Sequence, residues 1–349
     1  MLVAVNTTTV CVHPHPKRLV SFVRLSPHCT ISFRTSPGPN LRAIAMAATS
    51  QQQEQLVIAR PDDWRLHLRE GGVLEAVLPH SAKHFGRDII MPNLKPPVTT
   101  TACAVEYREE IMRALPPGSS FMPLMTLYLT DNTSPEEIKL ARKSGVVFAV
   151  KMYPAGSTTN SQDGVTDIFG KCLPVLEEMI RQEMPLLLKI AMEHITAMNA
   201  VNFIESCEEG HVAATVTPQH LLLNRNALFL GGLQPHNFCL PVLKRETHRE
   251  AIVSAVTNGS RRYFLGTDSA PHDKQNKECS CGCAGIYSAP VALSLYAKVF
   301  EEPPKEHFKD CLEKECLESS TTYKHSSGEI VPMFTGSTLE WFPSEQSEE

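Results

Sequence analysis

Short apolar runs that end in polar residues recur from Leu56 onward, and they constrain the fold more than any other feature of the chain. The runs are QLVIARPDDWRLHLR, RDIIMPN, FMPLMTLYLTD, VVFAVKMYPA, PLLLKIAMEHIT, HVAATVTPQHL and RYFLGTDSAPH. Amphipathic helical patterns lie between some of them, as in ACAVEYREEIMRAL and PEEIKLARKSG. Strands that alternate with helices form a parallel sheet, and this many repeats predict an α/β fold of the TIM-type (β/α)8 barrel class. A doubly wound open sheet is the alternative, but no glycine-rich phosphate loop follows the first strand.

The polar residues of these runs fall where a barrel of this kind carries its chemistry, at the C-terminal ends of the strands. They are His67, Arg69, Asn93, Thr130, Asp131, Lys151, His194, His220, Asp268 and His272. In WRLHLR, strict alternation places Arg65, His67 and Arg69 on one face of a strand end. A metal site at that spacing would use His-x-His, but the first position is Arg65, and a guanidinium cannot ligate a cation.

Four of these strand-end residues could form a site for two zinc ions: His67, Lys151, His194 and Asp268. A lysine becomes a ligand only when carbon dioxide converts its amine to an anionic carbamate, a change that burial favours by lowering the lysine pKa. Bridged zinc ions would activate a shared water, and Asp268 would move its proton to a leaving nitrogen. Each residue alone has an ordinary alternative, as a packed histidine, an ion-paired lysine or a turn-capping aspartate. Only the joint pattern at successive strand ends favours a site.

The N-terminal segment differs in composition from the rest of the chain. Residues 1–53 contain no Asp or Glu but carry Lys17, Arg18, Arg24, Arg34 and Arg42 among many Ser and Thr residues. This composition predicts an organellar transit peptide and linker over residues 1–55, with the mitochondrion as the destination and the plastid as the alternative. A plain disordered tail is the other interpretation. Residues 56–349 then form one barrel domain, in which 303–327 are irregular.

Composition excludes several classes of function. The formal net charge of −5 gives no electrostatic footprint for nucleic acid, and no run of eighteen apolar residues predicts a membrane span. The eleven cysteines are scattered, which is typical of reduced thiols rather than of a disulfide framework. The cluster of Cys279, Cys281 and Cys283 could be a metal site or part of a substrate loop. The lack of a partner pair at zinc-finger distance favours the loop.

Several motifs are too long for chance similarity: RPDDWRLHLREG, MPNLKPPVTT, KMYPAGSTTNSQDGVT, MEHIT, TVTPQHLLLNRN, GGLQPHNFCLPVLK, and FLGTDSAPH with KECSCGCAGIYSAP. From about Leu56 to Glu302 the chain resembles dihydroorotase, in the shorter bacterial-type form that also occurs in plant organelles, within the amidohydrolase superfamily. The resemblance implies the reversible, zinc-dependent cyclisation of N-carbamoyl-L-aspartate to (S)-dihydroorotate in de novo pyrimidine (UMP) synthesis. It also implies a small-molecule substrate and a homodimer.

The resemblance assigns roles by position. It implies two zinc ions held by His67, carboxylated Lys151, His194 and Asp268, with Asp268 also shuttling the proton. The substrate carboxylate would be gripped by Arg69, Asn93 and His272, and cations with an amide donor suit that task. Backbone groups would come from Leu240, Ala284 and Gly285. Thr158 and Thr159 would form the tip of a mobile lid, which suits the small polar run AGSTTNSQDG.

The sequence departs from the dihydroorotase pattern in three places. Arg65 replaces a metal histidine; PLLLKIAMEHIT joins two strands without the intervening histidine and helix; and a segment after CLEKECLESS is absent. Parallel neighbours need a crossover of about a dozen residues or more, so we expect a barrel that is incomplete around its fifth and sixth strands.

A site short of two neutral donors would hold zinc weakly, and little or no dihydroorotase activity is expected of this chain. The alternatives are a catalytically impaired paralogue or splice form that acts as a binding protein, or another cyclic-amide hydrolase of the hydantoinase or allantoinase kind. The carboxylate grip of Arg69, Asn93 and His272 argues against the hydrolase alternative, because those substrates lack the matching carboxylate.

Overall fold

The computed structural model of the chain describes residues 30–35, 55–157, 160–188, 193–209, 212–280, 282–301, 322–326, 328–335, 337 and 341–345. Thr158, Thr159 and Cys281 lie outside these residues, as do most of the predicted transit peptide and most of the region predicted to be irregular.

Strands and helices alternate through most of the described chain. The strands are β1 (Thr30–Thr35), β2 (Gln55–Ala59), β3 (Asp63–Leu66), β4 (Arg87–Ile90), β5 (Met122–Leu129), β6 (Val147–Met152), β7 (Leu186–Leu188), β8 (Ala214–Val216), β9 (Tyr263–Leu265), β10 (Tyr323–His325), β11 (Gly328–Ile330) and β12 (Trp341–Glu345). The α-helices are α1 (Gly71–His84), α2 (Thr101–Ala114), α3 (Pro135–Ser144), α4 (Leu173–Arg181), α5 (Met198–Ser206), α6 (Pro218–Leu222), α7 (Glu246–Thr257), α8 (Lys274–Lys277) and α9 (Ala292–Glu301). Among the helices of the described residues, none combines the length and the apolar character that crossing a bilayer requires.

A curled parallel sheet forms the centre of the molecule. Strands β3, β4, β5, β6 and β7 pair in that order, and β8 pairs with β9 separately. The chain that follows β9 returns to β3, where the backbone N–H of Asp268 donates to the Arg65 carbonyl over 2.9 Å. The N–H of His67 likewise donates to the Ser269 carbonyl over 3.1 Å. The last strand thus lies beside the first, as in a barrel, and each predicted strand run supplies one strand of this arrangement.

The sheet is interrupted after β7. Only residues 189–192 separate the end of β7 from the segment that begins at Glu193. That segment lies beside β8, because the N–H of His194 donates to Thr215 Oγ1 over 2.7 Å and the N–H of Ile195 to the Thr215 carbonyl over 3.2 Å. Four residues are too few for a crossover helix. The barrel is therefore incomplete at the place the sequence indicates.

Local signals explain why the surrounding helices form. In α3, Ser134 caps the N-terminus by accepting a hydrogen bond from the N–H of Glu137, and Pro135 occupies the first turn. Gly145 ends α3 with a left-handed φ of 65°, a conformation that glycine adopts without steric cost. Ile138 and Ala141 of this helix are fully buried in the core that the helices form against the sheet.

A second, antiparallel sheet joins distant parts of the chain. Its order is β12, β1, β2, so β1 is the central strand. Strand β1 pairs residues 31–35 with 341–345 and residues 30–34 with 55–59. It lies within the segment predicted to be transit peptide and linker; the boundary of that segment stays a prediction.

Candidate active site

One small cavity at the C-terminal ends of the strands brings together most of the predicted site residues. It is lined by Arg65, His67, Arg69, Asn93, Tyr153, Leu240, Asp268, Ala270, Ala284 and Gly285. His272 adjoins it, since its Nε2 lies 3.1 Å from Arg69 Nη2. The open space is about 20 Å³, enough for roughly one water molecule.

Arg65 is the centre of a buried ionic network next to this cavity. Only 3% of its surface is exposed, and its Nε donates to Asp268 Oδ1 over 2.6 Å. Its Nη1 donates to Glu193 Oε2, the same oxygen that accepts from Lys151 Nζ. His67 Nε2 lies 3.3 Å from Asp268 Oδ1. Two cations and two carboxylates thus neutralise one another where the metal centre was expected.

The network sets the charge of its members. Burial alone would raise the pKa of Asp268, but Arg65 and the hydrogen bond from His67 hold that pKa well below its usual range. Burial lowers the pKa of His67 to about 3, so its imidazole is neutral at pH 7. Burial also opposes the charge of Arg65, but Asp268 and Glu193 outweigh it and raise the guanidinium pKa. Asp268 is therefore a carboxylate with little tendency to take up a proton.

Two further histidines lie buried close to this network. Both ring nitrogens of His194, and Nε2 of His220, are buried without a hydrogen-bond partner. Burial lowers the pKa of both rings, that of His220 to about 4. Neutral imidazoles of this kind are the form that binds metals.

The residues present do not fit the two-zinc centre that the resemblance implies. Such a centre needs His67, His194 and Asp268 to converge with further anionic or neutral donors. Here the Asp268 carboxylate accepts a hydrogen bond from the guanidinium of Arg65, and the Glu193 carboxylate accepts one from the ammonium of Lys151. Across the described residues, no group of three or more His, Cys, Asp or Glu side chains is arranged to hold a metal ion.

The substrate side of the cavity is more complete. Arg69 is fixed by its Nε, which donates to the Pro271 carbonyl over 3.2 Å, and by Tyr107, whose hydroxyl donates to the Arg69 carbonyl over 2.6 Å. His272 Nε2 lies 3.0 Å from the Ala284 carbonyl. Burial, followed by the charge of Arg69, lowers the pKa of His272 to about 3. One cation and one neutral imidazole thus stand together at this side.

Backbone strain marks the same residues. Arg69, His194 and Asp268 adopt positive φ angles of 62°, 39° and 48°. Such conformations cost about 1–3 kcal/mol each in non-glycine residues and tend to persist at functional sites.

Glu193 and Tyr153 are among the residues of the site that were not predicted from the sequence; Ala270, which also lines the cavity, is another. Glu193 links Arg65 to Lys151, and it stands directly before His194 in MEHIT. Tyr153 lines the cavity, and Lys151 Nζ lies 4.6 Å from the centre of its ring. Tyr153 follows Lys151 by two residues, so the alternation of a strand could have placed it on the same side.

Known proteins similar to this chain include dihydroorotases of plants and yeast. The mitochondrial dihydroorotase of Oryza sativa subsp. japonica is 64% identical over 402 residues, which cover 98% of this chain and 99% of that protein. The mitochondrial dihydroorotase of Arabidopsis thaliana is 58% identical and covers 89% of this chain and 94% of that protein. A crystal structure of dihydroorotase from Saccharomyces cerevisiae in complex with 5-fluoroorotic acid superimposes with a TM-score of 0.72 at 27% identity, covering 83% of this chain and 98% of that one. No protein-family model matches the chain.

The rice alignment also shows that segments are missing. It extends over 402 positions but takes in 98% of a 349-residue chain, or about 342 residues, so about 60 positions are gaps in this chain. Gaps of this size agree with the prediction that internal segments are absent. The structural likeness confirms the predicted barrel class. The level of identity and the nearly complete coverage lead to one conclusion: this chain belongs to the dihydroorotase family, a family of metal-dependent cyclic-amide hydrolases.

Proposed function

We propose that this site recognises N-carbamoyl-L-aspartate and (S)-dihydroorotate, the compounds that dihydroorotases interconvert. The observation that carries the proposal is the set of groups that Arg69, Asn93, Leu240, Ala284 and Gly285 bring together around the cavity, whose open space of about 20 Å³ would widen when either compound binds. Both compounds carry a carboxylate beside amide groups. A guanidinium and a carboxamide suit the carboxylate, and backbone N–H and C=O groups suit the amides.

Each residue would have a defined task. Arg69 would pair with the substrate carboxylate and Asn93 would donate from its amide. Neutral His272, whose Nε2 faces the Ala284 carbonyl, would lie against the carboxylate beside Arg69. Leu240, Ala284 and Gly285 would offer backbone groups to the ring. Asp268 would hold or release the proton of the reacting nitrogen, as the resemblance implies.

We expect slow turnover by this chain. A general base works best when its pKa is close to the working pH, and Arg65 holds the pKa of Asp268 well below its usual range. The two zinc ions and the carboxylated Lys151 stay predictions from the resemblance. They are not supported by the donor set, in which Lys151 pairs with Glu193. A binding protein that has kept the substrate site is therefore the second candidate.

Hydantoinase-like or allantoinase-like activity is less well supported. Arg69 and His272 stand ready for a carboxylate that those substrates lack. A hydantoin should therefore bind more weakly than dihydroorotate, because it has no carboxylate to accept hydrogen bonds from the guanidinium of Arg69.

Calorimetric titration with (S)-dihydroorotate tests the proposal. We expect binding by the unaltered chain and a dissociation constant about 10- to 100-fold higher for Arg69→Met, because a hydrogen bond to a charged group is lost. Arg142→Met, at an exposed position of α3, is the matched control and should bind normally. Equal binding by Arg69→Met would contradict the proposal.

Carbamoyl-aspartate cyclisation with added zinc and bicarbonate separates enzyme from binding protein. Turnover within about tenfold of the rice relative would contradict the expected impairment.

Two further proposals extend this function. The mitochondrion is the proposed location, because the rice and Arabidopsis relatives are named mitochondrial. Imaging of residues 1–55 fused to a fluorescent protein distinguishes mitochondrion from plastid. The homodimer rests on the resemblance alone and is tested by light scattering after size exclusion.

A further inference from the structure

Lys277 is buried beside the cavity, and in the described part of the chain it donates its hydrogen bonds to backbone carbonyls. It ends the short helix α8 and is 4% exposed. Its Nζ donates to the carbonyls of Phe238, Cys283 and Gly285 over 2.9, 2.9 and 2.6 Å. An ammonium has three N–H donors, so each donor has one acceptor.

Carbonyl dipoles, rather than a carboxylate, surround this cation. No Asp or Glu of the described chain forms an ion pair with Lys277. Burying a charge is costly unless hydrogen bonds compensate for the lost water. The three hydrogen bonds to carbonyls therefore compensate for the hydration that the buried ammonium of Lys277 has lost.

The three carbonyls belong to two segments that line the cavity. In the segment 238–240, Leu240 lines the cavity; in the segment 283–285, Ala284 and Gly285 line it. The segments also touch each other, since the N–H of Gly285 donates to the Phe238 carbonyl over 2.9 Å. Lys277 is bound to both.

The same contacts extend to the carboxylate grip. The Ala284 carbonyl, between two of the carbonyls that Lys277 holds, lies 3.0 Å from His272 Nε2. His272 in turn lies beside Arg69. Gly285 leaves no room for adjustment, because a Cβ there would lie 2.7 Å from the Ala270 carbonyl.

We propose that Lys277 is a positioning residue for ligand binding: its ammonium ties segments 238–240 and 283–285 together, so that their backbone groups and His272 are arranged for a dihydroorotate-like ligand. This inference rests on the proposed function for the identity of the ligand. It adds a residue that does not line the cavity and does not touch the ligand.

The first test compares Lys277→Met with Lys274→Met, the matched control at a half-buried position in the same helix. Calorimetric titration with (S)-dihydroorotate should show at least about tenfold weaker binding by Lys277→Met, which is the effect of one lost hydrogen bond to a charged group. Lys274→Met should bind normally. Equal affinities of Lys277→Met and the unaltered chain would overturn the inference.

Hydrogen exchange separates this inference from the proposed function. Lys277→Met should speed amide exchange in segments 238–240 and 283–285, with the strands of the barrel unchanged. Unchanged exchange in both segments overturns the inference, whether or not dihydroorotate binds. If the unaltered chain does not bind dihydroorotate, the proposed function fails, and the exchange result alone decides the role of Lys277. If Lys277→Met does not fold, Lys277→Arg replaces it, since it keeps the charge but not the geometry of three single donors.

A pH profile provides a readout that simple loss of packing would not change. Burial lowers the pKa of Lys277 to about 8, so its third N–H is lost as the pH rises from 7 to 9. Dihydroorotate affinity should fall across this range, but not in Lys277→Arg, whose guanidinium stays charged. The titratable groups that face the amine are the thiols of Cys239 and Cys283 and the ring of His272. Burial raises the Cys239 pKa to about 12, and Cys283→Ser controls for the other thiol. The same fall in Lys277→Arg would overturn the inference.

Discussion

Replacement of Arg65 by Met removes the cation that joins the two carboxylates of the network. Arg65 and its partners are nearly inaccessible to water, with side chains 3–9% exposed. Breaking a buried ion pair by removing one partner costs about 3–5 kcal/mol, because the other charge stays buried. Asp268 keeps His67, and Glu193 keeps Lys151, so we expect the lower value, about 3 kcal/mol. Against a total stability of about 5–15 kcal/mol, this is a large loss.

The loss should depend on pH. Arg65 and His67 hold the pKa of Asp268 below its unfolded value, so the stabilisation is present above that value, about 4, and is lost as the pH falls through the folded pKa. In Arg65→Met the pKa of Asp268 should be higher than in the unaltered chain, because the strongest influence that opposes burial is gone. The difference between the two proteins should therefore be full at pH 7 and smaller below about pH 4.

Urea unfolding followed by tryptophan fluorescence measures this difference. Trp64 in β3 reports on the strand that carries Arg65. Arg181→Met is the matched control, because Arg181 also meets two carboxylates, Glu177 and Glu178, but its side chain is 61% exposed. The control should change stability by less than about 1 kcal/mol. An Arg65→Met protein as stable as the unaltered chain at pH 7 would refute the reasoning.

Three other changes have expected outcomes. Dialysis against a chelator should leave the urea midpoint unchanged, because the ionic network needs no metal; two zinc ions per chain by elemental analysis would contradict this. Gly285→Ala should destabilise by about 1–3 kcal/mol and abolish dihydroorotate binding in calorimetry, because φ is 155° and a Cβ would lie 2.7 Å from the Ala270 carbonyl. Gly118→Ala, with φ of 78° but no atom within 4 Å, is its control. Burial lowers the pKa of His84 to about 3, so the unfolded chain takes up the proton first and stability should fall as the pH drops from 6.5 to 4, by roughly 3 kcal/mol. His84→Asn should flatten that slope in urea titrations, and an unchanged slope would count against a buried neutral ring.

The parallel strands could be predicted because their signals are local. The apolar run FMPLMTLYLTD became β5, and the helical pattern PEEIKLARKSG became α3 with its predicted boundaries nearly unchanged. Parallel strands end at one edge, so the convergence of Arg69, Asn93 and Asp268 follows from their places after successive strands. The interruption of the sheet after β7 could also be predicted, because the number of residues between the two strand segments is too small for a crossover helix.

The ionic network could not be predicted in the same way. Arg65 was recognised as unsuited to zinc, but its partners lie 128 and 203 residues away along the chain. Glu193 directly precedes His194, and the sequence pattern indicated a role for the histidine only. Lys277 gave no sequence signal, because its acceptors are backbone carbonyls, which every residue has. Pairing of β1 with β12 likewise depends on contacts between the two ends of the chain.

The antiparallel sheet gives a structural cost to any trimming of the N-terminus that reaches β1, Thr30–Thr35. A protease that removed residues 1–55 would extract β1 from between β2 and β12, along with five residue pairs on each side. Both remaining strands would then present unsatisfied N–H and C=O groups, which are templates for pairing with other chains. The order of such a cut and of folding would therefore matter. A cut made after the sheet has formed would expose two unpaired strand edges, whereas a cut made before it would prevent this three-stranded sheet from forming.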